Sequence, residues 1–445
     1  MTGLREPSPP SGVGAVPPTR RDAVRMLGVA AAAALAPPII RVTPRAEWLL
    51  VPMDRRQTNH LKAYGVTFRT LERGGTAEWL LNYRGGSFLI PDGNATARDA
   101  ALAGVSVERV GDADVAGIRG TIAAGNMDTI PLEKAPRVAV YVPRTAAPWD
   151  DAVRMALEYA GISYDSIWDP DVIADGLDDY EWLHLHHEDF TGQYSKFYLS
   201  YSGTAWLTSM IRMNQQAARS LGFSSVPELK KAVARRIRDF VDRGGFLFAM
   251  CTATETLEIA LAAEGVDVAA QYSDGTPMDP DASRKLRWDR TFAFENVRLE
   301  MSPATASFSD IDGHQVNNPP RRRPLGAATL FGFSAKIDPV PTMLVQNHRR
   351  VVRDFYGLTT SFSRNRLKPG VTILADEDGA PWVKYIHGDF GEGTWTFLGG
   401  HDPEDPQHRI GDPPTDLALH VHSPGYRLIL NNVLFPAAKK RELKT

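Results

Sequence analysis

The stretch KKAVARRIRDFVDRGGFLFAMCTATET, residues 230–256, decides the fold class. Apolar residues recur at helical spacing as far as Val241, and Gly244-Gly245 ends that predicted helix. The short apolar run FLFAM follows as a buried strand, and a second helical pattern starts directly after Cys251. A helix, a strand and another helix at this spacing indicate parallel strands joined by crossover helices.

The same alternation continues on both sides of this stretch. Strands are predicted at RVAVYVP, YDSIWD, YEWLHLHH and TWTFLGG, and helices at WDDAVRMALEYAGI and PGYRLILNNVLFPAAKK. The predicted fold class is therefore α/β: a flavodoxin-like, doubly wound, mostly parallel sheet over 135–445, with long insertions at about 191–223 and 266–365. Insertions on the strand-end side of such a sheet are typical of the walls of a site.

A smaller α/β region is predicted at 45–134. In it, DRRQTNHLKAYG is interpreted as a short helix that ends at Gly65, and VTFRTLE, residues 66–72, as a strand. The segment 126–136 is interpreted as a linker.

Composition limits the class of partner. The 445 residues are 43% hydrophobic and 23% charged, with a formal net charge of −3. No basic field favours nucleic acid or an anionic membrane, and the run Arg321–Arg323 is interpreted as a solvated loop. A small-molecule substrate is the partner that we expect; the sequence does not predict an oligomeric state.

The first 44 residues are interpreted as a disordered tail and an export signal. Arg20-Arg21 precedes an apolar stretch from Met26 to Ala36, which is too short for a stable membrane anchor but suits a signal segment. The paired arginines resemble a twin-arginine signal, so we expect export to the periplasm and no membrane span after signal removal. With one cysteine, an intramolecular disulfide is excluded.

Cys251 lies where a strand turns into a helix, as a nucleophile elbow requires. Small residues must stand two positions to either side, and Ala249 and Ala253 meet that condition. The amides at the start of the following helix would lower the pKa of the thiol. The alternative is a small buried cysteine at the end of a central strand.

His401 is the candidate base. It follows the strand TWTFLGG directly, and Glu404 stands three residues later in HDPEDPQHR. A thiol nucleophile needs a base, and the base needs a group that fixes its tautomer, so Glu404, or Asp402 or Asp405 instead, is the predicted orienting carboxylate. The alternative is a solvated polar loop.

LHLHHED, residues 183–189, puts imidazoles and carboxylates at a strand end. His184, His186 and Glu188 would face one way, and His187 and Asp189 the other. These side chains could bind substrate, relay protons, bind a divalent metal through His184, His186 and Glu188, or be ordinary hydrogen-bonded residues. More distant residues that could complete such a site are Asp310, Asp312, His314, His420 and His422.

Three features together resemble the class I glutamine amidotransferase-like superfamily, over roughly 135–265 and 366–438. They are AMCTA after a strand, HDPE after a Gly-Glu-Gly hairpin and strand, and the terminal YRLILNNVLF. The resemblance implies a flavodoxin-like sheet and a triad of Cys251, His401 and Glu404.

More narrowly, NHLKAYG, LLNYRGGSF, LHLHHEDFTGQY and GGHDPEDPQH are similar to exported bacterial proteins often labelled asparagine synthetase B. The chain has neither the N-terminal cysteine nor the SGGxDS loop of a glutamine-dependent asparagine synthetase. LHLHHEDFTGQY also replaces the glycine-rich oxyanion loop of the superfamily.

The expected function is an exported cysteine-dependent hydrolase or amidase acting on an amide of a small polar substrate. His186, His187, Glu188 and Asp189 would contact the substrate, and Arg84 beside Gly85-Gly86 would meet an anionic group unless it belongs to a plain surface turn. The alternatives are a non-catalytic ligand-binding protein on the same fold, and a metal-dependent hydrolase using the HLHHED cluster. No cofactor is expected, apart from the divalent metal of the last alternative.

Overall fold

The computed structural model describes residues 48–91, 94–144, 151–303, 305–313, 327–338, 340–344, 349–353, 357–405 and 412–438. The predicted signal at 1–44, the run Arg321–Arg323 and His314 lie outside the described residues.

Residues 48–132 form a five-stranded sheet with helices packed on it. Its elements in chain order are β1 (Trp48–Val51), α1 (His60–Glu72), β2 (Ala77–Leu81), β3 (Ser87–Pro91), α2 (Asn94–Ala103), β4 (Glu108–Val110), α3 (Asp112–Ala124) and β5 (Asp128–Leu132). The strand order is β4-β1-β3-β2-β5, and every pairing is antiparallel.

Three sequence predictions for this region are wrong. VTFRTLE is the second half of α1, which the Asn59 side chain caps by accepting from the Lys62 N–H. Gly65 lies inside that helix and does not end it. A β-carbon at this position would stand 1.7 Å from the carbonyl oxygen of Ala160 on a neighbouring helix, so the close approach of the two helices requires glycine. The segment 126–136 contains β5, which pairs with β2 along its whole length.

A ten-stranded mixed sheet follows. Its first half contains β6 (Val138–Tyr141), α4 (Ala152–Ala160), β7 (Asp165–Ile167), α5 (Asp169–Ile173), β8 (Trp182–Leu185), α6 (Tyr198–Tyr201), α7 (Ala205–Ser220), α8 (Val226–Asp242), β9 (Phe246–Met250), α9 (Ala253–Ala262), α10 (Gln271–Asp274) and α11 (Ala282–Lys285). The second half contains β10 (Ala327–Leu330), β11 (Val351–Arg353), β12 (Phe362–Ser363), β13 (Thr372–Glu377), β14 (Trp382–Phe390), β15 (Gly393–Leu398) and α12 (Pro424–Leu434).

The strand order is β11-β10-β13-β14-β15-β9-β8-β6-β7, with β12 paired to β14. The five strands from β15 to β7 are parallel, and the pairings on the other side of β15 are antiparallel. The predicted α/β class is confirmed at this level. The carboxyl ends of β8, β9 and β15 meet at one edge.

Both faces of this sheet are covered by helices. One core joins Trp182 and Phe248 to α1, α4, α12 and the first sheet, and the other joins Leu183 and Ala249 to α7, α8 and α9. The first core contains side chains of both sheets, so the described residues from 48 to 438 form one compact unit. Among the described helices, none has both the length and the apolar content that a bilayer crossing needs.

Candidate functional site

Cys251 stands on a strained turn between β9 and α9. Its φ is +52°, in the left-handed region that residues with a β-carbon rarely adopt. Its N–H donates to the carbonyl of Gly400 at 3.1 Å, and the N–H of Ala253 donates to the carbonyl of His186 at 3.0 Å. The backbone thus ties the ends of β8, β9 and β15 together around the cysteine.

His401 stands beside Cys251, because β15 and β9 are parallel neighbours and Leu398 pairs with Met250. Gly357, from the second insertion, lies against both. A β-carbon on Gly357 would stand 2.6 Å from the β-carbon of His401 and 3.4 Å from the Cys251 sulfur. The structure therefore brings the predicted nucleophile and the predicted base to the same point of the sheet edge.

The Cys251 thiol is neutral in this structure. Burial raises its pKa to about 11, even though the backbone N–H groups of Thr252 and Leu358 donate to the sulfur. The sulfur also lies 3.8 Å from the Thr252 hydroxyl. The sequence predicted a lowered pKa from helix amides; the loss of water around a side chain only 3% exposed outweighs those amides.

A chain of three imidazoles runs away from this point. His401 Nδ1 lies 2.9 Å from His186 Nε2, and His186 Nδ1 lies 3.1 Å from His184 Nε2. His184 Nδ1 lies 2.9 Å from the carbonyl oxygen of Phe248 in β9. All three rings are buried.

The Phe248 carbonyl fixes the tautomers along this chain. A carbonyl only accepts, so His184 must carry its proton on Nδ1, and a neutral His184 then accepts at Nε2. His186 must therefore donate from Nδ1 and accept at Nε2, which makes His401 the donor at Nδ1. With neutral rings, His401 consequently has its lone pair on Nε2, as a general base requires.

Asp151 supplies the negative charge of this cluster. Its Oδ1 lies 3.5 Å from His184 Nε2 and 3.6 Å from His186 Nδ1, and it accepts from the N–H groups of Val153 and Arg154 at the start of α4. Burial alone would raise the pKa of Asp151, but His184 and His186 hold it well below its usual range. The carboxylate is thus an anion that stabilises a proton taken up by the rings.

The predicted orienting carboxylate lies elsewhere. Glu404 Oε2 is 3.2 Å from His420 Nδ1, and His186 holds the Nδ1 of His401. Asp402 accepts from the Glu404 N–H and the Thr415 hydroxyl, so it shapes the loop. The Asp405 N–H donates to the carbonyl of Asp402 within the same turn.

Four residues of LHLHHED line a cavity, and one of them also orders the loop that encloses it. His186, His187, Glu188 and Asp189 line a cavity of about 60 Å³ at the carboxyl edge, together with Asp151 and Lys230; of the described residues, Cys251 and His401 are not among its walls. Burial raises the pKa of Glu188 to about 8. Asp189 accepts from the N–H groups of Thr191, Gln193 and Ser195, so it also builds the cavity wall.

Arg84 is not brought to this site. Its guanidinium lies 2.7 Å from Asp54 and 2.7 Å from Glu108, next to the first sheet. His422 pairs with His60 at 2.8 Å, and Asp310 with Arg366 at 2.6 Å. Asp312 lies near Cys251 and Glu255; burial raises the pKa of both groups, and the charge of Asp312 adds to that rise.

Sequence reasoning missed Asp151, Gly357 and Glu255. Asp151 had one usable signal: it stands among the first residues of the predicted helix WDDAVRMALEYAGI, and the structure starts that helix one residue later, with Asp151 as its cap. Glu255 is buried in α9, where the hydroxyls of Ser309 and Thr359 donate to it. Gly357 had no local signal, because its role depends on residues far along the chain.

Comparison with known proteins gives no family. No protein-family model matches the chain, and no curated protein matches it. Solved structures with some similarity include two cytoplasmic proteins of Salmonella typhimurium, each with 11% identity, a TM-score of 0.33, and coverage of 68% of this chain and 100% of the other. A β-galactosidase of Bacillus circulans sp. alkalophilus shares 11% identity over 59% of this chain and 28% of its own, with a TM-score of 0.24. Similarity at this level assigns no function.

Proposed function

We propose that the protein is a cysteine-dependent hydrolase that cleaves an amide of a small polar substrate, with Cys251 as nucleophile and His401 as base. One observation carries the proposal: a left-handed cysteine on a strand-to-helix turn, beside a histidine whose Nδ1–H is held by another side chain. A backbone conformation that costs about 1–3 kcal/mol persists where the surrounding structure enforces it, typically at functional sites.

The parallel strands support a flavodoxin-like core of the class I glutamine amidotransferase-like type. Numbered along the chain, β6, β7, β8, β9 and β15 lie in the order 2-1-3-4-5, the order of flavodoxin-like sheets. Nucleophile and base then follow the fourth and fifth strands of that core. Ligands of such sheets bind at the carboxyl ends of the strands, where both side chains lie.

His401 acts as a general base during attack, since the resting thiol is neutral. It takes the thiol proton at Nε2. The proton on its Nδ1 shifts to His186, and the proton on His186 Nδ1 shifts to His184. The positive charge thereby moves next to the Asp151 carboxylate, where it is stabilised by about 1 kcal/mol or more. Glu404 takes no part in this proton transfer.

The chemical steps balance as an ordinary acyl transfer. The sulfur forms a bond to the amide carbon and the carbon–nitrogen bond breaks. The leaving amine takes the Nε2 proton of His401 while the protons on His184 and His186 shift back along the three rings. Water then attacks the thioester, which releases a carboxylic acid and regenerates the thiol. The N–H of Thr252, the residue after the nucleophile, donates to the sulfur in this structure and is the proposed donor to the oxyanion.

Substrate entry requires movement of the segment Gly357-Leu358-Thr359. The Leu358 N–H reaches the sulfur, and the carbonyl of Thr359 accepts from Gly400 at 3.1 Å, so this segment covers the cysteine. Export by a twin-arginine-type signal remains part of the proposal. Fractionation of cells that express the full chain tests it, with the mature chain expected in the periplasm.

The reaction is tested by ammonia release from a panel of small primary amides, including glutamine, asparagine and short acyl amides, in the presence of EDTA. At least one amide should be hydrolysed by the native chain and about 10³-fold more slowly by Cys251→Ala. Equal rates with the two chains across the whole panel would contradict the proposal.

A further inference from the structure

Two histidines of the cavity wall, together with His401 beside them, form a constellation that could hold a metal ion. His186, His187 and His401 each offer one nitrogen, and the three nitrogens lie within 4.8 Å of one another. The His187 and His401 rings are stacked, with centroids 5.0 Å apart, and the His186 and His187 centroids are 4.4 Å apart. Two of the three side chains are buried and one is half-buried.

We propose that His186, His187 and His401 form a binding site for a zinc-type divalent cation. Zinc–nitrogen bonds of about 2.0 Å in a tetrahedral site put neighbouring ligand nitrogens about 3.3 Å apart. His186 Nε2 and His401 Nδ1 are 2.9 Å apart, so a shift of a few tenths of an ångström brings them to that separation. Three imidazoles are the ligand set of one known kind of catalytic zinc site.

The surroundings of His186 are those of a metal ligand. A histidine that binds a metal through one nitrogen usually donates from the other to a carboxylate or another acceptor, which fixes its orientation. The Nδ1 of His186 lies 3.6 Å from the Asp151 carboxylate and 3.1 Å from His184 Nε2. Its Nε2 faces His401 Nδ1 at 2.9 Å, on the side where the proposed ion would bind.

The cavity provides a route for the ion and room for a further ligand. His186 and His187 belong to its walls, and its volume of about 60 Å³ admits water. Asp151, Glu188 and Asp189 border the same cavity. Lys230 and Arg154 also belong to the wall; Lys230 pairs with Asp169 at 2.9 Å, and the Asp151 carboxylate lies 3.6 Å from His186 Nδ1.

Metal binding and the base function exclude each other, a consequence that rests on the proposed function. As a base, His401 carries its proton on Nδ1 and its lone pair on Nε2. As a ligand through Nδ1, it must carry the proton on Nε2 instead. A bound ion would therefore stop His401 from taking the thiol proton, so zinc would inhibit hydrolysis at this site.

Titration of the full chain, purified without an affinity tag, with zinc chloride in a calorimeter tests the site. One ion per chain should bind with a Kd below about 1 μM, and His187→Ala and His187→Gln should each weaken binding about 100-fold. His420→Ala is the matched control, since His420 pairs with Glu404 outside the constellation, and it should bind as the native chain does. No saturable binding, or equal binding by the His187 variants, overturns the proposal.

Two further measurements separate this proposal from the cysteine chemistry. Cys251→Ala should bind zinc with unchanged affinity, so zinc binding is measured on a chain that cannot hydrolyse an amide. Cobalt(II) added to the native chain should give the intense visible bands of a four-coordinate ion; the weak bands of an octahedral ion would contradict the site even if the His187 variants failed to fold.

Discussion

The five-stranded sheet and the carboxyl edge of β8, β9 and β15 place their charged groups differently. Beside the first sheet, Arg84 lies between Asp54 and Glu108, and all three side chains keep contact with water. At the carboxyl edge, Asp151, His184, His186 and His401 are between 0% and 8% exposed. One region keeps its charges at the surface, and the other buries them in a connected network.

The buried network at the carboxyl edge costs folding free energy that the exposed ion pairs beside the first sheet do not. Burying a polar group costs free energy unless its hydrogen bonds are satisfied, and burying a charge costs more. A left-handed Cys251 adds to that cost. Substitutions at the carboxyl edge are therefore expected to lower catalytic activity, whereas substitutions beside the first sheet are expected to lower only the stability of the fold.

The largest effect is expected for His401→Gln, assayed on the best amide of the panel in EDTA. Loss of the general base should lower kcat/KM about 10³-fold. Glu404→Gln, in the same loop, should change kcat/KM by less than about threefold, because Glu404 pairs with His420. A loss as large for Glu404→Gln as for His401→Gln would show that the carboxylate orients the base after all.

Gly357→Ala should destabilise the fold by about 3 kcal/mol in urea unfolding. The new β-carbon would stand 2.6 Å from the His401 β-carbon and 3.1 Å from its backbone nitrogen, which cannot give way independently. Gly379→Ala is the control, since it has a positive φ of +73° but nothing within 4 Å, and it should cost about 1 kcal/mol. Equal costs would mean that the segment over Cys251 is loosely packed.

Glu255→Gln should remove a pH dependence of stability. Burial, with the neighbouring Asp312 carboxylate, raises the pKa of Glu255 from 4.5 to about 8. The folded chain then holds a proton that the unfolded chain releases, so this group's contribution to stability falls as pH rises from about 4.5 to about 8. At pH 8 the variant should be more stable than the native chain by on the order of 2 kcal/mol, with little difference at pH 4.5. Parallel pH profiles of the urea midpoint would count against a buried, protonated Glu255.

The smallest effect is expected for Arg84→Met. The two ion pairs are partly exposed, so their loss should cost about 1 kcal/mol in urea unfolding. Amide hydrolysis per folded chain should be unchanged, because Arg84 lies next to the first sheet. A drop in kcat/KM without a drop in stability would instead support the sequence prediction that Arg84 meets substrate.

The parallel part of the fold was predictable because its strands and helices differ in periodicity. FLFAM is a short apolar run between two helical patterns, and the structure has β9 there. The same rule failed for VTFRTLE. It lies in a helix buried along most of its length, with Gly65 fitted against Ala160, so its apolar residues do not mark one face.

At the candidate site, the proximity of Cys251 and His401 was predictable, because each residue directly follows a predicted strand. The orienting group was not, because spacing along the chain favoured Glu404, three residues from His401. The sheet order instead brings His186 from the end of β8, 215 positions away. The burial of Cys251 could not be predicted from its neighbours in sequence either. That burial raises the pKa of the thiol, whereas the sequence predicted a lowered pKa.

The pairing of the Cys251 thiol with the His401 imidazole is tested most directly by the rate at which 2-chloroacetamide alkylates Cys251, followed by intact mass in EDTA. The chain has a single cysteine, so the mass of one adduct reports this site alone. The native chain should react about tenfold faster than His401→Gln, with His186→Leu in between, because the thiol must pass its proton to an oriented imidazole. Equal rates for the native chain and His401→Gln would contradict the pairing of thiol and imidazole, and with it the proposed mechanism.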